Sequence, residues 1–276
     1  MNIGIAGLGL IGGSLAKVYS EKAHTVYAYD IDESIFEFAK LSGAVSGLLD
    51  KETIGKCDAV LIAVNPGDAV RYLESVCAYI GKNTIVFDCC GVKRNVCERC
   101  FKLAEEYGFT FIGGHPMAGN HNAGFKNSRA NLFKDASMIL VPPVYDSPAL
   151  LGRIEELLKP IGFGHLTVTT SQKHDEMIAF SSQMAHLVSN AYIKSPAAQD
   201  HKGFSAGSYK DLTRVARLNS AMWAELFMEN KDNLIKELGF FISSIKDYKD
   251  ALEAGDQDKL KQLLEEGSLI KAALDP

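Results

Sequence analysis

The sequence predicts an α/β protein, a doubly wound and mostly parallel sheet with helices on both faces, followed by an all-helical segment. Three observations carry this expectation. Short β-branched runs alternate with amphipathic stretches in the first part of the chain. That alternation stops near residues 165–172, and from Asp211 onward nearly everything has helical spacing.

The strand candidates, in order, are NIGIAG, TVYAYD, AVLIAV, TIVFDC, FTFIGG, SMILVP and HLTVTT. Between them lie GSLAKVYSEKA, SIFEFAKLSGA, DAVRYLESVCAYI and ALLGRIEELLKPIG, whose apolar residues recur at helical spacing. Parallel strands need crossovers of this length, usually helical. After the break, SQKHDEMIAFSSQMAHLVSNAYI opens with a serine in cap position and continues as an amphipathic helix. Farther on, Leu234, Leu238, Phe241, Ile242, Ile245 and Tyr248 make one apolar stripe. The expected organisation is a sheet domain over residues 1–168 and a helical domain over residues 169–276. The stripes are generous for so short a helical domain, so a homodimer sharing that helical core is expected.

Composition narrows the class. The chain is 47% hydrophobic and 23% charged, with a net charge of −5, as in a globular protein with a sizeable core. Basic residues are scattered among acids, which argues against a nucleic-acid surface. No apolar stretch is long enough for a membrane span, and the N-terminus enters MNIGIAGLG without a charged leader. A cytoplasmic protein is expected. All six cysteines precede residue 101, and Cys97 and Cys100 have C-x-x-C spacing. RNVCERCFKLAEEYG reads as a helix without the turn glycines of a zinc knuckle, so thiols rather than a metal site are expected.

GIAGLGLIGGSLAKVYS places Gly7-x-Gly9-x-x-Gly12 directly after a strand and at the opening of a helix. In a Rossmann-type unit the first glycine permits the tight turn and the second lets the backbone approach a pyrophosphate. The third lets helix and strand pack closely. Asp30, at the end of the second strand, is positioned to accept hydrogen bonds from ribose hydroxyls. Leu10 and Ile11 inside the turn, and Val64 closing AVLIAV, complete the expected cofactor-binding set. Ile31-Asp32-Glu33 follows Asp30 with no cation to receive a 2′-phosphate, so NAD is expected rather than NADP.

Ligands of open parallel sheets gather beyond the C-terminal strand ends. His115 in FIGGHPMAGN lies there, where it is expected to take a proton from a substrate hydroxyl as hydride leaves the same carbon. A turn histidine bonded to nearby backbone is the alternative. Gly113, Gly114 and Gly119 are expected to let substrate or cofactor come close to the main chain. Asp211, Arg214 and Arg217 lie three apart and are expected to share a helix face, with Arg214 suited to bidentate carboxylate binding and Asp211 orienting it. A solvated ion pair would look the same in sequence. On spacing alone His186 and Trp223 read as core residues.

These motifs, with DCCGVK, GGHPMAG, HDEMIAFSSQMAHLVSNAY and YKDLTRVARLNSAMWAELFMENK in that order, resemble the prephenate dehydrogenases of tyrosine biosynthesis over essentially the whole chain. The resemblance implies NAD-dependent oxidative decarboxylation of prephenate to 4-hydroxyphenylpyruvate, with no metal. It implies that His115 is the base and that Arg214 binds a substrate carboxylate. His186, Gln183, Asp211 and Trp223 would line or support the pocket, from either subunit of a homodimer. No fused chorismate mutase or amino-acid-binding regulatory domain is expected alongside these motifs. Tyrosine inhibition, where it operates, is then expected at the active site.

Two positions depart from the family pattern. Gly91 stands where many relatives carry the serine that bonds the catalytic histidine, so water, another hydroxyl or Cys90 is expected to orient His115 instead. Gln183 stands where many relatives carry a histidine. Three other readings stay open at this level: an arogenate dehydrogenase, a β-hydroxyacid dehydrogenase and a non-catalytic NAD-binding sensor.

Overall fold

The computed structural model describes residues 1–119 and 122–274. The strands are β1 (Asn2–Ala6), β2 (Thr25–Tyr29), β3 (Gly47–Leu48), β4 (Ala59–Ile62), β5 (Ile85–Asp88), β6 (Thr110–Pro116), β7 (Ser137–Val141) and β8 (His165–Val168). The helices among them are α1 (Leu10–Glu21), α2 (Glu33–Leu41), α3 (Pro66–Val76), α4 (Arg94–Tyr107) and α5 (Pro148–Leu158). After β8 come α6 (Ser171–Ile178), α7 (Ala185–Tyr192), α8 (Gly207–Thr213), α9 (Ser220–Glu229), α10 (Lys231–Ala254) and α11 (Gln257–Leu274).

The strands join in the order β3-β2-β1-β4-β5-β6-β7-β8, with only the β6–β7 pair antiparallel. The seven expected strands are present. The eighth, β3, has two residues and so carries no pattern that sequence reading detects. Strand order reverses between β1 and β4, and the glycine turn after β1 sits at that switch point.

The central strands are buried on both faces, which explains their continuous apolar runs. Ile3, Ile5, Leu61 and Phe87 point to one core with Leu15 and Leu157, whereas Val60, Ile62 and Val86 alternate to the other with Leu73 and Val96. The buried Tyr19 hydroxyl donates to the Leu157 carbonyl at 2.7 Å and ties α1 to α5.

By compactness the chain divides into Met1–Asn230 and Lys231–Pro276. Helix α6 is capped by Thr170, whose hydroxyl accepts from the Lys173 N–H at 3.1 Å, rather than by Ser171. A π-helical turn, Ala179–Met184, joins α6 to α7. Helix α8 stops at Thr213, and residues 214–219 are not helical. Asp211, Arg214 and Arg217 therefore do not share a helix face, because the chain must turn before Asn219 caps α9. In the second unit the Tyr248 hydroxyl donates to the Leu263 carbonyl at 3.1 Å, joining α10 to α11. Its stripe residues Phe241, Ile242 and Ile245 are exposed. No helix among the described residues is long and apolar enough to cross a membrane.

Two glycines of the β1–α1 turn make a stringent comparison. A Cβ at Gly12 would lie 1.8 Å from the Gly7 carbonyl oxygen, whereas one at Gly9 meets nothing within 4 Å. Gly12→Ala should destabilise the fold by about 3 kcal/mol, measured as a fall in the urea midpoint. Gly9→Ala should change it by about 1 kcal/mol or less.

Candidate active site

The turn after β1 brings the expected cofactor residues together. Gly7 adopts φ +89°, which a side chain would strain, and a Cβ there would also strike Val64 Cγ1 at 2.5 Å. Gly12 packs on the Gly7 carbonyl, and Gly9 leaves open space before α1. No side chain caps this N-terminus and no acid lies in its first turn. Its N–H groups, at half-buried Leu10 and Ile11, are left for an anion. Asp30 accepts from the Leu8 N–H at 2.6 Å and from the Asp32 N–H at 2.9 Å, which fixes its carboxylate beside the same turn. An uncapped twelve-residue helix, an open glycine and a fixed acid suit a dinucleotide.

His115 lies within β6, beyond the last residue that pairs with β5 and in the stretch that pairs with β7. Its ring remains partly exposed. Its Nδ1 lies 2.9 Å from His174 Nε2, and His174 Nδ1 lies 2.7 Å from an Asp175 carboxylate oxygen. The alternatives expected around Gly91 are thus superseded, since a second histidine occupies the orienting position. Sequence reading assigned no role to His174 or Asp175. The available signal was a His-Asp pair near the start of a capped helix, inside HDEM.

Asp175 determines which nitrogens carry protons. Burial alone would raise its carboxyl, but hydrogen bonds from His174, Arg94 and Lys93 outweigh burial and hold it below the ordinary value. Lys93 N–H donates at 2.7 Å, Arg94 N–H at 2.9 Å and Arg94 Nε at 3.2 Å. An ionised carboxylate only accepts, so neutral His174 carries its proton on Nδ1 and presents Nε2 as an acceptor. His115 must then donate from Nδ1, which leaves its Nε2 lone pair bare. Burial, then His174, then Lys93 push the His115 pKa well below its usual value, so the ring is neutral at pH 7.

Lys93 and Asp88 form a fully buried ion pair beside this chain. The Asp88 carboxylate also accepts from the Cys90 N–H at 2.9 Å and the Gly114 N–H at 3.0 Å. Burial would lower the Lys93 pKa, yet Asp88 outweighs it and keeps the ammonium charged. Gly113 and Gly114 serve this packing rather than a ligand's approach. A Cβ at Gly113 would lie 2.5 Å from Cys97 Sγ, and one at Gly114 would lie 2.3 Å from the Asp88 carbonyl. Gly119 alone of the three faces open space. The cysteines are free, and burial pushes the Cys57 and Cys100 thiols up to about 12.

The helical segment supplies the remaining candidates. His186 donates from Nδ1 to the Ser182 carbonyl at 2.9 Å and stacks on Trp223, with centroids 4.0 Å apart. Arg214 is exposed at the end of α8, and no ion pair joins it to Asp211. Gln183 is not a surface residue. It is 1% exposed, its Nε2 donates to the Leu226 carbonyl at 3.1 Å, and its Oε1 accepts from Asn230 at 2.9 Å. Both ends of its amide are thus engaged within the protein. At Gly91 a Cβ would meet Leu226 of α9 at 3.4 Å, an ordinary contact.

Comparison with known proteins is consistent along the chain. The family model described as the nucleotide-binding domain of prephenate dehydrogenase matches residues 15–166, and the one described as its dimerization domain matches residues 170–266. A cyclohexadienyl dehydrogenase of Zymomonas mobilis is 28% identical, over 99% of this chain and 96% of its own. A prephenate dehydrogenase of Bacillus subtilis is 26% identical, over 93% of this chain and 71% of its own. The structure of a prephenate dehydrogenase from A. aeolicus, in complex with hydroxyphenyl propionate and NAD+, superposes with a TM-score of 0.80 at 25% identity, covering 100% of this chain and 98% of that one. Because these two models together match residues 15–166 and 170–266, the chain belongs to the prephenate dehydrogenase family.

Proposed function

We propose that this protein catalyses the NAD-dependent oxidative decarboxylation of prephenate to 4-hydroxyphenylpyruvate. The observation that carries the reading is the Asp175–His174–His115 chain, which leaves His115 Nε2 as an unprotonated base in a neutral ring. Family membership supports the same reaction class. The dinucleotide, held by the Gly7–Gly12 turn, Asp30 and Val64, supplies the hydride acceptor.

His115 Nε2 accepts the ring-hydroxyl proton while hydride leaves the hydroxyl-bearing carbon. The resulting ketone lies para to the carboxylate. Loss of carbon dioxide restores an aromatic ring and makes the step effectively irreversible. As His115 becomes positive, His174 accepts its Nδ1 hydrogen bond more strongly, and the Asp175 carboxylate stabilises the pair. Arg214 serves as the carboxylate clamp, with Asp211 near it in sequence and His186 and Trp223 as a stacked wall. Exposed Ile242 and Ile245 are covered in a homodimer, and the enzyme works in the cytoplasm.

One observation favours a broader reading. The Zymomonas mobilis relative, matched over nearly its full length, is named for cyclohexadienyl substrates as a class. Arogenate differs from prephenate only in the side chain, so a pocket that clamps the ring carboxylate would accept either.

Initial NADH formation should be faster with prephenate than with arogenate, and equal rates would establish the broader reading. His115→Asn should lower kcat by about 10²–10⁴-fold with little change in KM for NAD. Wild-type kcat at every pH would remove His115 from the mechanism. Arg214→Gln should mainly raise KM for prephenate. Because the neutral ring is the active form and its pKa is depressed, kcat/KM should stay flat as pH falls from 8 to about 6.5 and decline only below that value. A decline centred above pH 7 would contradict a depressed His115.

A further inference from the structure

Gln183 and Asn230 lie outside the reacting groups, yet both are essentially buried, at 1% and 0% exposure. One Asn230 amide joins two points on the helix that carries His174. Its Nδ2 donates to the Asp175 main-chain carbonyl at 2.7 Å and to Gln183 Oε1 at 2.9 Å. Its Oδ1 accepts from an Arg94 guanidinium nitrogen at 3.0 Å, and Arg94 Nε also donates to the Asp175 carboxylate at 3.2 Å. Gln183 Nε2 donates to the Leu226 carbonyl, which fastens the same assembly to α9.

The π-helical turn Ala179–Met184 makes this bridge feasible. Asp175 and Gln183 are eight positions apart, a spacing that leaves them about 80° apart around a regular α-helix. A wider turn carries more residues per revolution and brings Gln183 back toward the face of Asp175. The main-chain carbonyl of the residue that sets the His174 tautomer is therefore held by the Asn230 amide, which Gln183 fixes in turn. A substrate contact for Gln183 would leave that double use of its side chain unexplained.

We infer that Gln183 and Asn230 are positioning residues, which hold the Asp175–His174 pair against His115 so that Gln183 acts on the reaction through the base and not through the substrate. The inference rests on the reaction proposed above. Misplacing the pair by a fraction of an ångström loosens the 2.9 Å His115–His174 contact and frees the base to adopt the other tautomer.

The test uses the full chain, labelled with 15N-histidine, as wild type, Gln183→Met and Asn230→Leu. The His174 Nδ1–H proton should appear as a downfield resonance in the wild type and be lost to solvent exchange in both variants. With prephenate, kcat should fall about ten- to a hundredfold, while KM for prephenate and the affinity for NAD stay within about twofold. A raised KM with unchanged kcat would make Gln183 a substrate contact and overturn the inference. A lower melting temperature with unchanged kcat and an intact His174 resonance would make both residues merely structural. Gln183→Glu covers the case in which the others fail to fold, since it keeps both bonds only while its carboxyl is protonated. Its kcat should fall with rising pH where the wild type is flat, and a profile parallel to wild type would overturn the inference. A wild type that turns over neither prephenate nor arogenate would defeat the proposed reaction, and the His174 resonance would still decide the positioning role.

Discussion

The Asp175 carboxylate, buried and surrounded by hydrogen-bond donors, is the constraint from which the rest of the site follows. A carboxylate in that position is stable only while enough donors face it, and here the start of α4 and the His174 ring supply them. The same donors keep it ionised, and an ionised carboxylate leaves neutral His174 one tautomer. That tautomer in turn leaves His115 one tautomer. A single buried charge thus sets the proton inventory of a base on another element, without touching it.

A second buried charge determines where that base stands. Lys93 and Asp88 neutralise each other beneath β6, and Asp88 holds the Gly114 N–H immediately before His115. The Lys93 N–H is also one of the Asp175 donors, so the two charged assemblies meet in one residue. Breaking either pair would leave an uncompensated charge in the core, a more severe loss than a surface ion pair represents. The glycines before His115 belong to this arrangement, because only hydrogen fits between them and Cys97 or Asp88.

Much of the fold was legible because its signals are local. Strand and helix periods show within a dozen residues, and the Gly7–Gly12 spacing needs no knowledge of the tertiary structure. The parts missed are those in which one residue depends on another far along the chain. His115 announced itself at a strand end, but His174 lies 59 positions away on a helix whose apolar spacing reads as core. Gly113 and Gly114 looked like room for a ligand because the atoms that fill that room come from β5 and α4. The burial of Gln183 was not legible either, since a regular helical period cannot anticipate the π-helical turn on which it lies. The expected Asp211–Arg214–Arg217 face failed where α8 ends at Thr213.

The Asp175–His174 pair holds His115 with Nδ1 protonated and Nε2 bare. The direct measurement is the pair of ring 15N chemical shifts of His115 at neutral pH, assigned by their loss in His115→Asn. A protonated, pyrrole-type Nδ1 and a non-protonated Nε2 are expected in the wild type, with that assignment weakened or reversed in Asp175→Asn. A wild-type His115 protonated on Nε2, or on both nitrogens, would contradict it.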